Sequence, residues 1–147
     1  MWTTLFFATN AIALLSWLLL LFAPRKPLTN SAVLYLGVAL LCLIYAVCFV
    51  SVVIVGWGGG LSPAASGTSL AGIKAFFATD GCAVIGWTHY LAFDLFTGMW
   101  IARDADHKGF NRLWQAPFLV LTYLIGPIGL LSWLIARERR ARLSGRG

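Results

Sequence analysis

The chain has 147 residues, 60% of them hydrophobic and 11% charged, with a mean hydropathy of +0.84. A soluble domain carries about a quarter charged residues, so this composition excludes that class. The net charge of +6 does not signal nucleic acid, because the basic residues flank apolar runs instead of covering a polar surface.

Runs of about twenty apolar residues mark membrane-spanning helices. The first covers roughly residues 2–23 and stops at "PRKP", where two prolines bracket Arg25 and Lys26. Its positive charges follow the apolar run and no small-residue cleavage site ends it, so it reads as a retained span. The second, residues 31–56, contains no charge. "GWGGGLSPAASGTS" then breaks the pattern and marks a connector. Leu70 to Phe77 reads as a short interfacial helix, with Lys74 reaching toward the headgroups. The third span, 80–101, is followed by the charged connector "ARDADHKGFNR". The fourth, 113–136, runs into Arg137, Arg139, Arg140, Arg142 and Arg146.

These elements predict an all-α fold, a single transmembrane domain over residues 1–147. It is expected as an integral membrane bundle of four transmembrane helices, up and down, with both termini on one side. No alternating strand pattern is present. The two sides carry comparable positive charge: Arg25, Lys26, Arg103, Lys108 and Arg112 on one, Lys74 and the tail arginines on the other. The sequence therefore sets no orientation.

The third span contains "WTHYLAFDLFTGMW", residues 87–100, with His89 and Asp94 inside it. A charged side chain near the bilayer centre costs at least about 2.5–3.5 kcal/mol, which makes both residues candidates for function. At about 100° per residue, Asp94 shares a face with Trp87, Tyr90 or Leu91, Gly98 and Ile101. His89 shares one with Phe93, Phe96 and Trp100, with Arg103 near the same line. The two groups are about 140° apart, so they can flank a groove but not converge on a narrow site. His89 also fits a purely structural role, hydrogen-bonding a neighbouring helix. An ionised Asp94 needs a cation or several donors. Asp80 suits a helix start, while Arg103 and Asp104 lie where the mouth of a pocket would be.

No metal is expected. His89, Asp94, Asp104 and His107 match no familiar ligand spacing. Cys42, Cys48 and Cys82 form no C-x-x-C pair and read as small hydrophobes. In "GPIGLL", Pro127 cannot donate to the carbonyl of Tyr123, and Gly126 and Gly129 allow close approach of a helix or a flat ligand. Trp87, Tyr90, Phe93, Trp100 and Tyr123 supply aromatic walls for a long apolar ligand.

The segment "GWTHYLAFDLFTGMWIARD" with "PFLVLTYLIGPIGLLSWL" resembles the abscisic-acid-deficient-four-like membrane protein family. "NAIALLSWLLLLFAP" and "LAGIKAFFA" extend the resemblance over nearly the whole chain. Met99 departs from it, standing where the family pattern leads one to expect arginine. The absence of a plastid transit peptide points to a bacterial member, in the inner membrane.

The resemblance implies a four-helix integral membrane protein linked to carotenoids. Plant relatives are required for neoxanthin formation, in which a 5,6-epoxide opens to an allene and a tertiary alcohol. Such an isomerisation needs an acid for the epoxide oxygen and a base for a vinylic proton, and no redox cofactor. Carried onto this chain, His89 and Asp94 are the candidate catalytic pair. Trp87, Tyr90, Phe93, Gly98, Trp100, Arg103, Asp104, Tyr123, Gly126 and Pro127 are the candidate substrate-binding residues. The partners implied are the lipid bilayer and a carotenoid or other long apolar ligand, with a homo-oligomer as a further option. Two other readings stand beside the enzyme: a non-catalytic carotenoid-binding or assembly protein, and a small proton-linked transporter. The last lacks an evident inverted repeat.

Overall fold

A computed structural model describes residues 1–144, so Arg146 of the basic tail lies outside them. All the regular structure among the described residues is helical. Helix α1, Trp2–Phe22, and helix α2, Pro27–Ile54, are each long and apolar enough to cross a membrane. Pro27 stands at the start of α2, where its missing N–H would have had no intrahelical partner. Over Val33–Ala39 and Val50–Ile54 the winding of α2 loosens to a π-helix.

A short helix α3, Leu70–Phe76, follows the glycine-rich connector, as expected. The Ser69 hydroxyl caps it, accepting from the Gly72 N–H at 3.0 Å. Helix α4, Asp80–His107, has 28 residues and starts at Thr79, whose hydroxyl accepts from the Cys82 N–H at 3.4 Å. Taken together, α3 and α4 form the third candidate span, bent by 101°. Helix α4 passes the expected end at Ile101 and carries "ARDADH" as its last turns. Gly109, at φ 67°, then lets the chain leave the helix in a left-handed turn.

The expected fourth span, 113–136, is not one helix. It is divided into α5, Arg112–Leu124, and α6, Gly126–Ser144, and the chain reverses between them. Trp133 of α6 packs edge-on against Phe118 of α5, with ring centroids 5.5 Å apart, and against Phe110 at 4.9 Å. A straight helix would hold residues 118 and 133 about 22 Å apart. With 13 residues, α5 is about 20 Å long, short of the about 30 Å hydrocarbon core. The pair is a helical hairpin with its tip at Ile125–Gly126–Pro127. Ile125 has non-helical backbone angles, φ −146° and ψ 74°. Pro127 therefore does not kink a continuous span; it sits in the first turn of a new helix, where no N–H is missed.

This reversal also corrects the placement of the termini. Trp2 packs against Trp57 near the start of α4, while Trp133 and Arg137 return to its end at Asp104. The first residues and Arg137 thus lie at opposite ends of the bundle. Its core is built where α1, α2 and α4 meet, around Ala13, Trp17, Val33, Leu41, Leu95 and Met99. Gly37 makes the contact possible, since a Cβ there would collide with Ser16 and Leu95.

Candidate functional site: a cleft midway along α4

Asp94 stands midway along α4, and the tip of the hairpin reaches back to it. A Cβ added to Gly126 would run into the Asp94 carboxylate, so the carboxylate lies directly against the tip backbone. Around them is a cleft of about 410 Å³. Asn10 and Ala13 of α1, Trp87, Tyr90, Leu91 and Asp94 of α4, and Tyr123, Leu124, Gly126 and Pro127 of the hairpin line it. Among the described residues, Asp94 has no hydrogen-bond or ion-pair partner.

The walls are fixed by their own contacts. The Asn10 side-chain amide donates to the Phe6 carbonyl at 2.7 Å, and its oxygen accepts from the Trp87 indole N–H at 3.2 Å. Trp87 also lies on Phe6, with ring centroids 5.8 Å apart. Tyr123 is held edge-on by Trp17 at 5.6 Å. Asn10 escaped the sequence reading, although an amide in the middle of an apolar run is the same signal that singled out Asp94.

The candidate residues divide among three places. Trp87, Tyr90, Asp94, Tyr123, Gly126 and Pro127 share the cleft. His89 and Phe93 do not line it. His89 is exposed on the outer face of the bundle, stacked on Phe93 at 4.6 Å and close to Tyr45 of α2 at 5.6 Å. It does not flank a groove shared with Asp94, because the α4 face that carries it turns toward α2 while Asp94 turns toward α1 and the hairpin. Gly98 is buried, and a Cβ on it would strike the ring of Trp17, so its place is in the α1–α4 contact.

Trp100, Arg103 and Asp104 are at the end of α4, in a second cleft of about 350 Å³ with Phe96, Met99 and His107. There Asp104 accepts from the indole N–H of the fully buried Trp133 at 3.0 Å. It also pairs with Arg137 at 3.4 Å and Lys108 at 3.7 Å. The Arg137 guanidinium lies 5.6 Å above the Trp100 ring. Two residues on, Asp106 takes a 2.8 Å ion pair from Arg25 and a 2.8 Å hydrogen bond from Gln115. Arg112 reaches the Ala23 carbonyl at 2.5 Å. These contacts fasten the α1–α2 turn and the hairpin to the end of α4, which leaves the tip supported beside Asp94. Among the described residues, no three His, Cys, Asp or Glu side chains are grouped to hold a metal.

The ABA DEFICIENT 4-like family model matches residues 4–133. The chain belongs to this family. Its members relate to carotenoid and xanthophyll metabolism, neoxanthin formation included. The matched segment contains every cleft residue from Asn10 to Pro127 and ends at Trp133, the residue that anchors α6 to Asp104. No curated protein and no solved structure matches the chain.

Proposed function

We propose that this protein is a membrane isomerase of xanthophyll metabolism in which Asp94 alone moves the proton. The observation that carries the reading is an unpartnered carboxyl group midway along a candidate span, in a cleft closed by a helical hairpin. Among the described residues, no histidine, lysine or second carboxylate lines that cleft. An epoxide-to-allene isomerisation has no net proton change, so one carboxyl group suffices. The Asp94 carboxyl protonates the epoxide oxygen, and the bond from that oxygen to the ring carbon bearing the polyene breaks. The oxygen stays on the neighbouring ring carbon as the tertiary alcohol. The resulting carboxylate then takes the vinylic proton next to the cationic carbon, whose electrons close the allene. Asp94 ends as it began. The faces of Trp87 and Tyr123 suit the transient cation.

A cleft of about 410 Å³ takes the ring end of such a molecule and leaves the polyene in lipid. The second reading, a carotenoid-binding protein without catalysis, is favoured by the lack of a separate base beside Asp94. Pigment profiles of a carotenoid-producing host that makes an epoxy-xanthophyll separate the two. The wild type is expected to yield an allenic pigment, and Asp94→Asn none, at equal protein level and with pigment still bound. A wild type that co-purifies with pigment while leaving its composition unchanged would sink the isomerase and leave the binder.

A further inference from the structure

The hairpin redistributes the charge of this chain. Because α6 returns to the end of α4, Arg137 joins Arg25, Lys26, Arg103, Lys108 and Arg112 at one end of the bundle. Asp104 and Asp106 pair with Arg137, Lys108 and Arg25 there, and Glu138 follows Arg137 on α6. The opposite end, from Trp57 to the start of α4 with the chain's first residues, carries among the described residues only Lys74, Asp80 and the Met1 amino group. A four-crossing chain would have split the basic residues almost evenly. The reversal places Arg25, Lys26, Arg103, Lys108, Arg112 and Arg137 at one end and leaves Lys74 at the other.

We propose that this basic end is a docking surface for an anionic phospholipid leaflet. It thereby fixes the orientation, with the α1–α2 turn, the α4–α5 connector and the α6 arm on the cytosol-facing side. The segment 57–76 faces the other compartment. Two features beyond net charge support a lipid partner. Lys26 and Arg103 are exposed and their side chains have no hydrogen-bond or ion-pair partner among the described residues, so their charges are available. Arg103 also borders a cleft with Asp104, whose charge is met by Arg137 and Lys108, and His107; its remaining walls, Phe96, Met99 and Trp100, offer a bed for an acyl chain below a phosphate at Arg103. Lysine and arginine near the ends of spans are retained on the cytosolic side, which sets the direction.

Two measurements on the full chain test the proposal. In nanodiscs of equal phosphatidylglycerol and phosphatidylcholine, the protein released into the gas phase should retain phosphatidylglycerol at least threefold over phosphatidylcholine. The double variant Lys26→Glu, Arg103→Glu should bring that ratio to parity. Parity in the wild type overturns the lipid surface. For orientation, single cysteines are introduced as Lys26→Cys, Ala64→Cys or Glu138→Cys in a chain with Cys42, Cys48 and Cys82 replaced by alanine. An impermeant maleimide added to intact bacterial cells should label Ala64→Cys alone, and the other two only after permeabilisation. Labelling of Glu138→Cys from the same side as Ala64→Cys restores four crossings, and labelling of Lys26→Cys from outside reverses the chain; either overturns the proposal. If the cysteine-free chain does not accumulate, fluorescent and alkaline phosphatase fusions to the C-terminus of the native chain report the same side.

Discussion

The indole N–H of Trp133 lies 3.0 Å from a carboxylate oxygen of Asp104, and this contact ties the returning arm of the hairpin to the end of α4. Trp133 is fully buried, so its indole N–H is kept from water, and the carboxylate oxygen that accepts it also faces Arg137 at 3.4 Å. Trp133→Phe keeps an aromatic ring against Phe110 and Phe118 but removes the donor and leaves a small gap. A hydrogen bond to a charged group contributes about 1.5–3 kcal/mol. Thermal unfolding in detergent should show a loss of about 2–3 kcal/mol, and an unchanged midpoint would mean that the hairpin is held elsewhere.

Gly126 is the point at which the tip meets Asp94. Gly126→Ala adds a methyl group where the carboxylate now lies, in a helical first turn that alanine otherwise tolerates. Pigment conversion is expected to fall at least about tenfold, a barrier change of about 1.4 kcal/mol. Protein yield and unfolding midpoint should move little. Full conversion by this variant would separate the hairpin tip from the chemistry.

His89 and Asp94 are expected to behave differently on substitution. His89 stacks on Phe93 at the outer face and lines no part of the Asp94 cleft. His89→Leu should keep conversion within about threefold of wild type, a difference below about 0.7 kcal/mol. Asp94→Asn should abolish it. Equal loss in the two variants would point to a base delivered by His89 and sink the one-carboxyl scheme.

Gly98 and Trp17 test the packing of α1 on α4. A Cβ at residue 98 would strike the Trp17 ring, so Gly98→Ala forces the helices apart. Overpacking of this kind costs about 1–3 kcal/mol. Combining it with Trp17→Phe, which frees space at the same contact, should recover part of the loss. Simple additivity in a double-mutant cycle on the unfolding midpoint would show that the two residues do not meet.

Much of this fold is legible in the sequence, and what is not has identifiable physical causes. The charge-free run of α2 and the "PRKP" stop after α1 mark those helices, since apolar length and proline breaks act locally. The short helix before the third span follows from "LAGIKAFF" for the same reason. The reversal at Ile125 does not follow. "GPIGLL" serves equally as a kink in a continuous span and as the first turn of a new helix, and the apolar run looks the same in both. What decides is distant: Trp133 finds Asp104, and Arg137 finds both Asp104 and Trp100. In the site, helical spacing already separated His89 from Asp94, but only the packing shows that His89 turns toward α2. Asn10 was visible as a polar residue within an apolar run. Its role in holding Trp87 became apparent only once α1 was placed beside α4.

The short reach of the hairpin has a consequence for how the cleft is supplied. Its tip stops beside Asp94, so on the far side of Gly126 the space between α1 and α4 is not filled by a fourth helix. Trp87 and Tyr90 are exposed along that side, where the surrounding medium is hydrocarbon. On the proposed function, the xanthophyll then arrives sideways by diffusion within the lipid sheet and crosses no aqueous vestibule. Occupancy is then governed by the mole fraction of ligand in the bilayer, and diluting the sample with buffer at fixed lipid composition would leave it unchanged.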